Sequence, residues 1–186
     1  VCLVYEPIRQ TVYEKHREEQ SSTQHTSEKQ DTKKEATPFH AANGTKLEIP
    51  AKLKHATEQI LYRKGDTVSY NKELKIPNWV AWELTPEKLV ERESRTDKFL
   101  PDPDLPEDEA VTTDDYKGAG MDRGHMCPAG DNRWHWKAMQ ESFYMTNICP
   151  QNHNLNRGDW KELEESCRRW AQEEGRIYIV CGPILY

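Results

Sequence analysis

The chain has no Cys-x-x-Cys pair, no long apolar run, no excess of basic residues and no internal repeat. Without paired cysteines, a structural zinc site is not expected. The five cysteines are Cys2, Cys127, Cys149, Cys167 and Cys181. Being odd in number, they leave at least one thiol unpaired in a monomer, and the last four sit among apolar neighbours as core residues do. No stretch approaches the ~20 apolar residues of a membrane helix, so no span is expected. The net charge of −6 argues against bulk electrostatic capture of nucleic acid. It leaves room for a local basic site, because Arg123, Arg133, Lys137, Arg157, Lys161, Arg168 and Arg169 lie within one stretch. Most of these read as solvated surface.

Apolar residues are also unevenly spread. The mean hydropathy is −1.00, yet residues 47–186 hold all six tryptophans and most of the aliphatic side chains. Residues 8–42 hold almost none and cannot bury a core. The expected organisation is a flexible polar tether over residues 1–46 followed by one domain over residues 47–186. The chain begins at Val1 rather than Met, as a processed or trimmed product does, and its first five residues can be the remnant of a signal or anchor.

Within the domain, residues 59–62 and 67–70 read as strands around the Lys64-Gly65-Asp66 turn. Residues 79–84 read as a buried strand, closed by Thr85-Pro86-Glu87. Residues 98–109, rich in proline and acid, read as loop, and residues 142–148 as a strong strand stopped by Pro150. Asp159 offers an N-cap to a helix reaching about Glu174, with Trp160, Leu163, Cys167, Trp170 and Ala171 on one stripe and Gly175 as its stop. Residues 177–181 read as a last buried strand. The class is α+β.

The chemistry gathers around Met121-Asp122-Arg123-Gly124-His125 and the asparagine-rich turn from Gln151 to Gly158. Splitting a phosphodiester with water requires a base for the water, positive charge on the phosphoryl oxygens and help for the leaving oxygen. Neutral His125 suits the first need and the Arg123 fork the second, with Gly124 letting the backbone approach substrate. A hard cation such as Mg²⁺ takes oxygen ligands and keeps several waters. Asn147, Asn152, Asn154 and Asn156 are all candidates for a carbonyl ligand. Eight residues of continuous helix would hold Asn156 and Glu164 about 12 Å apart. Sharing an ion therefore requires Asn156 to lie in a turn before the helix, with Glu164 acting through water.

The order of these residues resembles the DNA/RNA non-specific endonucleases, which are ββα-metal nucleases and include the endonuclease G group. The matching string is Asp122-Arg123-Gly124-His125, Pro128-Ala129, Ser142-Phe143, Asn147-Ile148-Cys149-Pro150-Gln151 and Leu155-Asn156-Arg157-Gly158-Asp159-Trp160, ending at Leu163-Glu164. In the family's pattern Ser-Phe ends a helix. Upstream, Pro77-Asn78-Trp79-Val80-Ala81-Trp82 resembles its early core strand.

The resemblance implies a His-bearing hairpin packed on a metal-site helix within a larger antiparallel sheet. It also implies His125 as general base, Asn156 as the one direct ligand of Mg²⁺ (Mn²⁺ can substitute) and Glu164 as holder of a metal-bound water. Arg123 and Asn147 would line the site, with Arg123 on phosphate and Asp122 shaping it. Arg95, with Lys98 as an alternative, stands where the family has a further phosphate-binding arginine, and Arg157 is a third candidate for substrate.

The implied activity is sugar-non-specific endonucleolytic cleavage of DNA and RNA to 5′-phosphate and 3′-hydroxyl ends. The rivals are a catalytically weak nucleic-acid-binding module and a nuclease toxin or effector paired with an inhibitor protein. A homodimer stays open, and an unselective nuclease is expected outside the cytoplasm. Family members continue past the Gly182-Pro183 position, so a core trimmed at its C-terminus is a further expectation.

Overall fold

The computed structural model describes residues 46–184. The expected tether lies outside the described residues except for Lys46. The chain divides into two units, the first holding the described residues from Glu48 onward. The first of these, from Glu48 onward, carries every strand and helix among the described residues.

Four strands form one antiparallel sheet: β1 (Gln59–Tyr62), β2 (Thr67–Asn71), β3 (Ile76–Leu84) and β6 (Ile177–Cys181), in the order β1-β2-β3-β6. The two inner strands are almost wholly buried, so β3 shows little of the alternation that marks a half-exposed strand. Val68 and Tyr70 on β2 share a face with Val80, Trp82 and Leu84 on β3. This face packs on Met126, Cys127, Cys149, Trp160 and Ala171. The β1–β2 turn falls at Lys64-Gly65-Asp66 as expected. Gly65 is required there, because a Cβ would stand 1.9 Å from Asn132 Oδ1.

A second, two-stranded antiparallel sheet joins β4 (Asp122–His125) to β5 (Ile148–Gln151), pairing Gly124 with Cys149 and His125 with Ile148. Between the two strands runs helix α1 (Trp136–Ser142). Two further helices follow β5: α2 (His153–Arg157) and α3 (Asp159–Glu174). Gly175, at φ 76°, ends α3 in the left-handed conformation.

The strand expected over residues 142–148 is not formed. Ser142 closes α1, Phe143 is its C-cap and residues 145–147 make a 3-10 turn. The amides of Phe143, Tyr144 and Asn147 bond to carbonyls three residues back, so this segment satisfies itself locally instead of through a ladder. Burial of Phe143, Met145, Thr146, Asn147 and Ile148 removes the alternation of buried and exposed positions that would separate strand from turn. The family's pattern, with Ser-Phe ending a helix, matches what is observed.

The proline-rich stretch over 98–109 is loop, yet it is tied down. Leu100 bridges Tyr144 in parallel. The Arg63 guanidinium grips Asp102 at 2.5 and 2.6 Å, and Thr146 Oγ1 donates to Asp102 Oδ2. These bonds fix Phe99, at the start of the loop, in the interior. Cys127 and Cys149 are free thiols, and Cys127, Cys149 and Cys181 are buried. No helix among the described residues is long and apolar enough to cross a membrane.

Candidate active site

His125 ends β4 and is 8% exposed. Two of the chain's three phenylalanines enclose it. The Phe143 ring meets it edge-on at 4.8 Å, and Phe99 lies tilted at 5.4 Å. Each phenylalanine carries an arginine, Arg95 over Phe143 at 5.0 Å and Arg123 over Phe99 at 4.3 Å. Burial, reinforced by the charges of Arg95 and Arg123, pushes the imidazole pKa down to about 3. The ring is therefore neutral across ordinary pH. Its Nε2 is buried without a partner, and Trp160 Nε1 donates to the His125 carbonyl at 3.1 Å. Gly124 has to be glycine, since a Cβ would stand 2.2 Å from Gln151 Oε1 on the paired strand.

Asn147 is fully engaged in holding backbone. Its Oδ1 accepts from Cys127 N at 2.8 Å, and its Nδ2 donates to Cys127 O at 2.9 Å and Ser142 O at 2.8 Å. It clamps the turn after His125 to the end of α1. Its side chain is thus spoken for by backbone, which differs from a residue lining an open site.

Asn156 stands on α2, separated from α3 by Gly158, so the chain breaks between Asn156 and Glu164 instead of running as one helix. A Cβ at Gly158 would stand 2.6 Å from Asn154 O, so the break needs glycine. Asn156 Nδ2 donates to Asp122 Oδ2 at 2.9 Å, and His153 Nδ1 lies 3.2 Å from the same carboxylate. These two hydrogen bonds hold Asp122 below the usual carboxylate range. With its amide nitrogen turned to Asp122, Asn156 keeps Oδ1 free. Arg157 Nε is 4.0 Å from Asp122, and its side chain is largely exposed.

Glu164 is half-buried on α3, and burial with the nearby Asp131 charge pushes its pKa up to about 7. Arg168, one turn further on, does not face solvent as its sequence setting suggests. It bonds Asp131 at 2.9 Å, and Asp131 also accepts from Trp82 Nε1 at 3.0 Å. This buried carboxylate straps α3 to the segment after β4 and to the main sheet. Arg95 reaches the rim with Nε on Asp97. The cations seated on the two phenylalanine rings are Arg95 and Arg123, so Arg95 rather than Lys98 is the one that adjoins His125.

Asp131 carries no sequence signal for a place near the site, and Arg168 is marked only as one of several clustered basic residues. The scarcity of phenylalanine is the one hint that points to Phe99.

A family profile described as DNA/RNA non-specific endonuclease matches residues 43–186. The chain belongs to the DNA/RNA non-specific endonuclease family. A mitochondrial nuclease EXOG of Danio rerio is 40% identical over 119 residues, covering 63% of this chain and 35% of that protein. Human mitochondrial endonuclease G is 33% identical over 132 residues, covering 68% and 43% respectively. Among solved structures, a complex of EndoG with EndoGI aligns at a TM-score of 0.65 and 30% identity, over 69% of this chain and 54% of that one. The chain spans between a third and a half of the length of the EXOG and endonuclease G relatives. Family membership accounts for the shared α+β architecture, with its two antiparallel sheets.

Proposed function

We propose that this chain is a Mg²⁺-dependent, sugar-non-specific endonuclease that hydrolyses DNA and RNA to 5′-phosphate and 3′-hydroxyl ends. The observation that carries this reading is the buried, neutral His125 ring held between Phe99 and Phe143, with Arg95 and Arg123 on those two rings.

In this reading a water loses its proton to His125 and its oxygen bonds to phosphorus as the P–O3′ bond breaks, the departing O3′ taking a proton from a solvent water. Nε2 is shut in, so the proton is taken at Nδ1. Arg123 and Arg95 bind the phosphoryl oxygens, and Arg157 binds a flanking phosphate. Burial is the main cause of the depressed His125 pKa, with Arg95 and Arg123 behind it; phosphate against the two arginines offsets that smaller part and raises the basicity of His125. Asn147 serves by fixing the turn behind His125, and Asp122 by orienting Asn156.

The donor set fits a hard divalent cation. Asn156 turns its Nδ2 to Asp122, which leaves a carbonyl oxygen of the kind such a cation takes beside several waters. Asn156 Oδ1 would hold the cation directly, and Glu164 would hold a water bound to it. Burial and the Asp131 charge hold the Glu164 carboxyl up at about 7 although Arg168 and Arg95 stand near enough to lower it, so added positive charge there would favour its ionised form. When bound, Mg²⁺ or Mn²⁺ would place positive charge on the phosphoryl oxygens.

The test is cleavage of supercoiled plasmid and of single-stranded RNA, with Mg²⁺ and with EDTA, beside His125→Ala. The expected result is metal-dependent cutting of both substrates, falling ~10²–10⁴ fold in the variant. Binding without cutting would instead support the catalytically weak module. The EndoG structure that resembles this chain is a complex with a second protein, EndoGI, described in terms of EndoG inhibition. A protein inhibitor closing this site is therefore a second reading, testable by titrating such an inhibitor into the same assay.

A further inference from the structure

Away from His125, an aromatic row stands on the surface where α1 begins. Trp136 is 60% exposed, and the His135 ring stacks on it at 5.9 Å and 27°. Trp134 continues the row, 5.6 Å from His135. His135 Nδ1 accepts from Lys137 N at 3.0 Å, which locks the imidazole orientation and therefore the stack. Solvent exposure of this much indole is costly unless something covers it.

Charge and position both indicate what does. Lys64 lies over the Trp134 ring at 5.6 Å. Neither Lys64 nor Arg92 makes an ion pair among the described residues. The backbone amides of Arg92 and Glu93 both donate to Arg133 O at 2.9 Å. Two residues further on, the Arg95 guanidinium is over Phe143, which packs on His125. Residues 92–95 thus form a common rim between the aromatic row and the candidate site. Along the other connection, α1 spans about 10 Å from Trp136 to Ser142, whose neighbour Phe143 meets His125.

We propose that Trp136 and His135 stack on unpaired bases of the substrate strand flanking the scissile phosphate, with Lys64 and Arg92 on the adjoining phosphates. This rests on the nuclease reading above and goes beyond it. Indole faces accept a base only where that base is unstacked, so the platform serves single strands, loops and frayed ends, and not the interior of a duplex. Every base has a π-face, so it adds length of grip without sequence choice.

The test is carried out in the full chain. Binding of a fluorescein-labelled oligothymidylate of about twelve nucleotides is measured with Mg²⁺ in the His125→Ala background, beside a blunt duplex of the same length. Trp136→Ala is expected to weaken the single strand about tenfold and leave the duplex unchanged, and Trp136→Phe to restore most of the loss. Equal single-strand binding by the alanine variant would overturn the proposal and give the face to a protein partner. Equal weakening of strand and duplex would overturn it too, since bases would then not be what is read. A parent chain that cuts neither plasmid nor RNA would remove the nuclease reading itself. Parental cutting with an indifferent Trp136→Ala would remove only this inference.

Discussion

The indole Nε1 of Trp160 donates to the main-chain carbonyl of His125 at 3.1 Å, joining the second residue of α3 to the end of β4. One buried bond thereby sets the distance between the helix carrying Glu164 and the strand carrying the imidazole. Trp160→Phe keeps most of the packing and removes the donor. The loss of stability should be about 1 kcal/mol, measured by urea denaturation. kcat should fall several-fold with KM nearly unchanged, because substrate contacts are intact while base and metal site drift apart. A change in KM alone would show that the bond does not set this spacing.

Asp122 holds the Asn156 amide nitrogen at 2.9 Å. Asp122→Asn leaves the side chain's size but removes the charge that orients Asn156, the proposed ligand. The Mg²⁺ concentration for half-maximal cleavage should rise by ~10–100 fold, as for other outer-sphere partners of metal ligands. Asn156→Ala should shift it further. An unmoved metal titration in both variants would place the direct ligand elsewhere.

The Asp131–Arg168 pair spans buried ground, with the Asp131 side chain 1% and the Arg168 side chain 26% exposed. Arg168→Ala leaves a buried carboxylate on Trp82 alone, and roughly 3 kcal/mol of stability should be lost. Arg168→Ala combined with Asp131→Asn should recover part of it, since no charge then remains unpaired. If the double variant is no better than the single one, packing rather than charge is what Arg168 supplies.

Stability should depend on pH with two opposing contributions. Asp66 is buried with neither carboxylate oxygen hydrogen-bonded to an N–H or O–H. Burial, with the Glu141 charge second, raises its pKa from 3.8 to about 7. Between those values the folded chain holds a proton that the unfolded chain has released. This contribution is present at low pH and fades as pH rises, by at most ~1.4 kcal/mol per unit. His125 runs the other way. Its pKa falls from 6.5 to about 3, so between those values the unfolded chain takes up the proton and stability drops as pH falls. Relative to parent, Asp66→Asn should therefore gain stability as pH rises from 4 to 7, and His125→Ala should gain as pH falls below 6.5. Thermal midpoints in EDTA across pH would show it, and parallel curves would contradict both assignments.

Much of the scaffold is legible along the chain. The turn at Gly65 and the strands flanking it follow from local chemistry, as do β3, the Asp159–Glu174 helix and its Gly175 stop. These rest on interactions within a few residues or on a repeating apolar stripe. Residues 142–148 are not legible, because burial at nearly every position removes the alternation that would mark a strand. The break at Gly158 is foreshadowed only as a need for Asn156 to fold back; that it makes a separate short helix is not.

By itself the sequence determined the chemical inventory: a histidine, arginines and an asparagine-rich turn in an order that resembles one nuclease family, and the local elements that carry them. Only the tertiary structure decided how those groups are used. It committed the Asn147 amide to backbone, turned Arg168 inward onto Asp131 and brought Phe99 from a proline-rich loop against His125. The physical reason is that burial, ring packing and buried charge pairing join residues 20 to 37 positions apart, such as Asn147 with Cys127 and Arg168 with Asp131. No local pattern records which distant group will meet which.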